Sequence, residues 1–105
     1  MGTKHPVISV ITPSLNQGSF LHGCIENVQS QGYPNVEHII IDGGSTDNTV
    51  EVLKQQSDKV AYWVSEPDNG QCNAINKGFA QATGDIHYWL CVDDELAPGA
   101  LHHVA

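Results

Sequence analysis

Two adjacent carboxylates, Asp93 and Asp94, follow an apolar run that ends at Val92. Like charges side by side at the end of a buried strand are electrostatically unfavourable unless a cation joins them. Clustered oxygen ligands suit Mg²⁺ or Mn²⁺, particularly where substrate phosphates complete the coordination shell. The pair therefore predicts a divalent metal site. The alternative is an acidic solvated loop in which one Asp caps a following helix.

A second polar segment, DGGSTDNT at 42–49, follows the apolar run at 39–41. Asp42 ends this run, and we expect its carboxylate to point into a crevice. The glycines allow a tight turn and the close approach of a ligand. The structural alternative is ordinary strand–turn–helix chemistry, with Ser45 or Thr46 as the N-cap of the next helix.

A third polar segment, EPDNGQCNAINKG at 66–78, leads from a loop into a predicted helix. The first amides of such a helix favour an anion. Asn76 and Lys77 lie three and four residues after Asn73, so they share a surface of this helix with it. The alternative is an exposed polar face with a solvated Lys77.

The charge balance limits the partners of these segments. The chain of 105 residues carries 12 Asp and Glu against four lysines and no arginine, a formal net charge of −8. We expect no nucleic-acid partner, because phosphate backbones are bound by clustered Lys and Arg. Without arginine, a bound phosphate must be neutralised mainly by backbone amides, a helix end or a metal ion.

Other classes of protein lack their signatures. No G-x-G-x-x-G or P-loop follows the first apolar run, which argues against NAD and ATP sites. The three cysteines form no C-x-x-C spacing, so we expect reduced, mostly buried thiols. The apolar runs have the length of strands, and the first residues do not resemble a secretory leader. We expect a cytoplasmic location, with the inner face of the cytoplasmic membrane as an alternative.

The elements that position these residues alternate regularly. β-Branched runs predict four strands, over 7–12, 36–42, 60–65 and 86–92. Helical periodicity predicts one helix over about 18–31, a second running to about 56, and a third that Gly84 ends. We expect Pro13 to end the first strand, and Phe20 and Phe79 to face the core. The order βαβαβαβ predicts an α/β, Rossmann-like parallel sheet with helices on both faces and ligands at the carboxyl ends of its strands.

Taken together and in this order, the segments resemble the nucleotide-binding half of GT-A-fold inverting glycosyltransferases of family 2. The resemblance runs from Val7 to Ala105 and rests on five motifs: ISVITPSLNQG, IIIDGGSTDNT, WVSEPDNG, AINKGFAQATGDI and VDD. It implies an N-terminal extension at 1–6 and a nucleotide-sugar-binding portion at 7–105, truncated before the acceptor-binding half. In close relatives Asn-Ser often precedes the Asp pair, whereas Cys91-Val92 stands here.

The resemblance also implies roles for individual residues. Asp42 would contact the nucleobase of a UDP- or dTDP-sugar. Asp93 would face the ribose or sugar, and Asp94 would hold Mg²⁺ or Mn²⁺. The remaining residues of the implied nucleotide-sugar site are Thr12 and Pro13 in the base pocket, Asn16, and Gly70, Asn73 and Lys77 beside the ribose and diphosphate.

The implied reaction is the transfer of a sugar to an acceptor hydroxyl with inversion, in bacterial polysaccharide or cell-envelope glycan synthesis. The acceptor would be a glycan or a lipid-linked molecule. The family's general base lies in the second half, so no catalytic residue is assigned. The alternative is a non-catalytic α/β nucleotide-binding or interaction module. We also expect marginal stability or self-association through the edge of the fourth strand, which contains Tyr88, Trp89 and Leu90.

Overall fold

The computed structural model describes residues 6–67, 71–90 and 101, without the side chains of 71–75. Strands and helices alternate as predicted, and a single 3₁₀ turn, Ser57–Lys59, follows the second helix. The elements are β1 Ile8–Ser14, α1 Gly18–Gln29, β2 Val36–Asp42, α2 Thr49–Gln55, β3 Tyr62–Ser65, α3 Gln71–Gln81 and β4 Ile86–Trp89.

The four strands form one parallel sheet in the order β3-β2-β1-β4. The chain moves outward from β1 to β3 and then returns to place β4 on the other side of β1. This reversal of direction is the topological switch at which Rossmann-like sheets bind ligands. The predicted α/β class and parallel sheet are confirmed.

The helices cover both faces of the sheet, as predicted. On one face, Val10 and Ile40 pack in a cluster with the buried stripe of α1, which includes Leu21 and Ile25. On the other face, Ile11, Ile39 and Ile41 form a smaller cluster, on the side of the sheet that contacts α3. The apolar run at 39–41 is therefore buried on both sides, as parallel strands require.

Pro13 does not end the first strand, contrary to the prediction. β1 continues to Ser14, whose carbonyl accepts a hydrogen bond from the Gly43 amide over 2.9 Å. The backbone N–H and C=O groups of odd-numbered residues of β1 point towards β4. An example is the Ile11 carbonyl, which accepts a hydrogen bond from the Leu90 amide. The described pairing with β4 reaches to Ile11, so Pro13 lies beyond the last described pair of that ladder.

Two aromatic side chains predicted to face the core are exposed. Phe20 is 56% exposed, because the core-facing stripe of α1 begins at the next residue, Leu21. Phe79 is 42% exposed and stacks on His87, with ring centroids 5.3 Å apart. Its neighbour Gly78 meets the sheet instead, because a Cβ there would lie 2.4 Å from Ile11 Cγ2.

The second helix begins at Thr49, later than predicted, and neither Ser45 nor Thr46 caps it. Asn48 occupies the N-cap without a side-chain capping bond. The Ser45 hydroxyl is bonded to Asp42, and the Thr46 amide to Asn16. The outer strands are also shorter than predicted: β3 begins at Tyr62 and β4 ends at Trp89. Residues 91–92 lie outside the described chain.

Candidate functional site at the carboxyl edge of the sheet

Three polar side chains end neighbouring strands and form a row across the sheet. Ser14 of β1 is in register with Asp42 of β2, and Asp42 is in register with Ser65 of β3. Directly paired residues present their side chains on the same face of a sheet. This row of Ser14, Asp42 and Ser65, called here the strand-end row, lies at the edge where the sequence predicts ligand binding.

Asp42 is the centre of the row, and its carboxylate is held by its own chain. Oδ1 accepts from the Ser45 hydroxyl at 2.5 Å, and Oδ2 accepts from the Ser45 amide and the Ser65 hydroxyl, both at 2.8 Å. Asp42 is 0% exposed. The carboxylate that the sequence predicts in a crevice is thus buried and bonded within the chain. The bonds from Ser45 to Asp42 also stabilise the turn that follows β2.

Asn16 joins the loop after β1 to the loop after β2. Its Oδ1 accepts hydrogen bonds from the amides of Thr46, at 2.8 Å, and Asp47, at 3.3 Å. The backbone N–H of Asn16 donates to the Ser45 hydroxyl at 2.7 Å. Ser45 therefore links Asn16 to Asp42. Asn16 has a φ of 50°, a left-handed conformation that Asn tolerates better than most residues. The predicted site residue thus has a structural task in the described chain.

Asp47 binds the starts of both α1 and α2, a role that sequence reasoning missed. One carboxylate oxygen accepts from the Gly18 amide at 3.1 Å, and the other from the Thr49 amide at 2.9 Å and the Thr49 hydroxyl. The Thr49 hydroxyl bond is the largest cause of the lowered pKa of Asp47. The available signal was the acidic residue just before a helix, where the helix dipole favours an anion.

Glycines allow the loops to approach one another this closely. A Cβ on Gly18 would lie 2.1 Å from Asn48 Oδ1 and 2.9 Å from the Thr49 amide nitrogen. Gly44 has a φ of +87°, and a Cβ there would lie 3.2 Å from the Pro67 nitrogen. The loop after β2 is consequently packed against both the start of α1 and the segment after β3.

Thr12, predicted in the base pocket, is bonded to a buried histidine. Its Oγ1 lies 2.9 Å from His38 Nε2, and Thr12 has no exposed surface. Burial lowers the pKa of His38 to about 4, so the ring is neutral at pH 7. Sequence patterns could not indicate this pair, because Thr12 and His38 lie on different strands. Pro13, the other predicted base-pocket residue, is also buried.

Lys77 extends the site towards α3. Its ammonium lies 3.1 Å from Glu66 Oε1, and the Glu66 amide donates to the Asp42 carbonyl at 3.0 Å. The structure therefore brings Lys77 to the segment that follows β3, and its place beside a ribose and diphosphate stays a prediction. The Glu66 carboxylate, which sequence reasoning treated only as part of a loop, is its partner.

Four of the predicted site residues fall on undescribed parts of the chain. Gly70, Asp93 and Asp94 lie outside the described residues, as does the side chain of Asn73. Within the part that is described, no group of three or more His, Cys, Asp or Glu residues is arranged to hold a metal ion. The Mg²⁺ or Mn²⁺ site at Asp94 therefore stays a prediction. The same residues include no helix long and apolar enough to cross a membrane.

A parallel α/β sheet with glycine-containing polar loops at its carboxyl edge is typical of Rossmann-like nucleotide-binding domains. Residues 9–105 match the profile of glycosyl transferase family 2. The chain therefore belongs to this family of transferase enzymes, and the GT-A resemblance drawn from the five motifs is confirmed.

Known relatives agree with this membership. An uncharacterized glycosyltransferase of Mycobacterium tuberculosis is 44% identical over 96 residues, which cover 90% of this chain and 37% of that protein. A mannosyltransferase of Pyrobaculum calidifontis, solved with GDP-Man and Mn²⁺, superposes with a TM-score of 0.84 at 26% identity, covering 92% of this chain and 30% of that one.

A second solved structure has a similar fold. Glucosyl-3-phosphoglycerate synthase of Mycobacterium tuberculosis, in complex with Mn²⁺, UDP and glucosyl-3-phosphoglycerate, has a TM-score of 0.69 at 27% identity. The match covers 84% of this chain and 34% of that one. The chain thus spans about a third of the length of these relatives.

Proposed function

We propose that this chain is the nucleotide-sugar-binding portion of an inverting, metal-dependent glycosyltransferase. The observation that carries the proposal is the strand-end row, with the loops at 15–17 and 43–48 fastened together around it, in a member of glycosyl transferase family 2. The proposed acceptor is a glycan or lipid-linked hydroxyl in bacterial polysaccharide or cell-envelope synthesis. The proposed location is the cytoplasm or the inner face of its membrane.

The donor is proposed to be a UDP- or dTDP-sugar, with a GDP-sugar as a third candidate. UDP is bound in the solved glucosyl-3-phosphoglycerate synthase, and GDP-Man in the solved mannosyltransferase. In this chain, the nucleoside would lie beside Thr12 and Pro13, at the carboxyl end of β1. Asn16 would fix the adjoining loop, as its hydrogen bonds to Thr46 and Asp47 already do.

Asp42 retains the capacity for one contact with a nucleobase. An ionised carboxylate offers about four lone-pair positions, and the chain fills three of them. The fourth can accept an N–H of a base, once the groups that cover this buried residue shift. Lys77 would help to neutralise the diphosphate, exchanging its bond to Glu66 for one to a phosphate oxygen.

The other proposed contacts fall on residues beyond those described. Asp94 would hold Mg²⁺ or Mn²⁺, Asp93 would face the ribose or sugar, and Gly70 and Asn73 would lie beside the diphosphate. When bound, the metal ion would offset the negative charge of the leaving diphosphate. This task matters in a chain whose cationic side chains are four lysines.

Calorimetry of the 105-residue chain with UDP, dTDP and GDP, with and without Mn²⁺, tests the proposal. We expect binding of at least one nucleotide that is strengthened by Mn²⁺ and loses this gain in Asp94→Ala. Asp58→Ala is the matched control, because Asp58 is an exposed carboxylate on the 3₁₀ turn, away from the strand-end row. Heat with none of the three nucleotides would refute the proposal.

A non-catalytic α/β module is the second candidate. It is favoured by the fact that Asp42 and Lys77 both have partners within the chain. Asp42→Ala distinguishes the two functions. It would lower stability alone in a non-catalytic module that binds no nucleotide, and both stability and nucleotide affinity in a donor-binding domain.

A further inference from the structure

The strand-end row contains one hydroxyl that none of the described residues uses. Ser14 is 5% exposed, and its Oγ has no hydrogen-bond partner among the described residues. The other two members of the row, Asp42 and Ser65, are bonded to each other at 2.8 Å. A buried hydroxyl without a partner is destabilising and uncommon in folded proteins, so its retention calls for an explanation.

Ser9, on the same strand, shows how the chain satisfies a buried hydroxyl elsewhere. Its Oγ donates to Glu37 Oε1 at 2.7 Å and accepts from the Gly84 amide at 2.9 Å. Ser9 and Ser14 are both buried serines of β1, one near its amino end and one at its carboxyl end. The unused hydroxyl is the one at the ligand-binding edge.

The backbone holds Ser14 in place. Its carbonyl accepts from the Gly43 amide at 2.9 Å, and its register with Asp42 fixes the face on which the side chain lies. The next residue, Leu15, is 56% exposed, so the hydroxyl is one residue away from the surface.

We propose that the Ser14 hydroxyl is a further nucleotide-contacting group, which bonds a polar atom of the donor's nucleoside. This inference rests on the proposed function. A hydroxyl both donates and accepts, so it can meet either a ribose hydroxyl or a base carbonyl. Because no described residue bonds this hydroxyl, the ligand would gain its bond without breaking one within the described part of the chain.

Two serine-to-alanine variants of buried residues of β1 test the inference. Ser14→Ala removes an unused hydroxyl, so we expect a melting temperature equal to or above that of the unaltered chain and a ~5- to 10-fold weaker nucleotide Kd. Ser9→Ala removes a bonded hydroxyl, so we expect a lower melting temperature and an unchanged Kd. Thermal unfolding and calorimetry with UDP, dTDP and GDP in the presence of Mn²⁺ measure both quantities.

The outcomes separate this inference from the proposed function. Nucleotide binding that weakens in Lys77→Ala but not in Ser14→Ala would overturn the role of Ser14 alone. A melting temperature that falls in Ser14→Ala as far as in Ser9→Ala, with an unchanged Kd, would show that the hydroxyl is already bonded, for instance to a buried water, and would overturn it as well. Failure of the unaltered chain to bind all three nucleotides would overturn both proposals.

Discussion

The inner and outer strands of the sheet differ in length, in burial and in how their ends are held. The inner strands β1 and β2 have seven residues each and end in loops fastened by Asn16, Ser45 and Asp47. The outer strands β3 and β4 have four residues each, none of them fully buried. Among the described strands, β4 pairs with β1 alone.

The inner strands form the buried centre of the sheet, and the outer strands form its more exposed edges. The inner strands carry the apolar clusters on both faces and two members of the strand-end row, Ser14 and Asp42. The outer strands expose the aromatic side chains of Tyr62 and Trp89. We expect stability and the geometry of the site to depend mainly on the inner strands, and association with other molecules to depend on the outer ones.

The largest expected effect comes from truncating an inner isoleucine. Ile40→Ala should lower the free energy of unfolding by about 2–5 kcal/mol, because Ile40 is completely buried and leaves a cavity. Ile86→Ala, on β4, should cost about 1–2 kcal/mol because that side chain is already partly exposed. Urea denaturation measures both values, and equal losses would contradict the distinction between inner and outer strands.

Acidification should weaken the inner strands through His38. Its folded pKa of about 4 lies below the ordinary value of 6.5, so the unfolded chain binds more protons between these values. The stability contributed by the neutral ring is complete above pH 6.5. It is lost progressively as the pH falls towards 4, by about 3 kcal/mol in total.

Unfolding free energies measured across this pH range provide the test. His38→Gln should flatten the dependence between pH 6.5 and 4. His87→Gln, at an exposed position on β4, should preserve it. The carboxylates with lowered pKa values, such as Glu37 and Asp47, begin to lose their contribution near their ordinary values of 4.5 and 3.8, at the acidic end of this range and below it. An unchanged slope in His38→Gln would exclude His38 as the cause.

The next largest effect is expected from adding a methyl group at Gly18, where the start of α1 meets Asn48 and Thr49. Gly18→Ala places a Cβ 2.1 Å from Asn48 Oδ1 and 2.9 Å from the Thr49 amide nitrogen, and we expect a loss of about 1–3 kcal/mol. Gly23→Ala in the same helix meets nothing within 4 Å and should stabilise the protein by about 0.5–1 kcal/mol. Thermal unfolding measures the stability of both variants. A neutral Gly18→Ala would show that the start of α1 is not tightly packed against Asn48 and Thr49.

The smallest expected effect concerns self-association through β4. Trp89 is 50% exposed, and Trp89→Ser should weaken association of this chain by about tenfold. Phe20→Ser, at an equally exposed aromatic on α1, should leave association unchanged. Sedimentation velocity over a range of concentrations measures the difference. A chain that remains monomeric at every concentration would contradict the expectation.

The sequence by itself determined the α/β class, the order of the elements and the edge of the sheet at which polar residues gather. These properties follow from local signals: β-branched runs, helical spacing in α1, and a glycine, Gly32, soon after the last helical residue, Gln29. They are local because each depends on neighbours within a few residues.

Only the tertiary structure decided which polar groups are already satisfied. The Asp42 carboxylate accepts hydrogen bonds from Ser45 and from Ser65 on another strand. Thr12 is bonded to His38, whereas the Ser14 hydroxyl has no partner among the described residues. The physical reason is that hydrogen bonds across strands depend on the register of the sheet. Periodicity predicts that two strands exist, but not which of their residues meet.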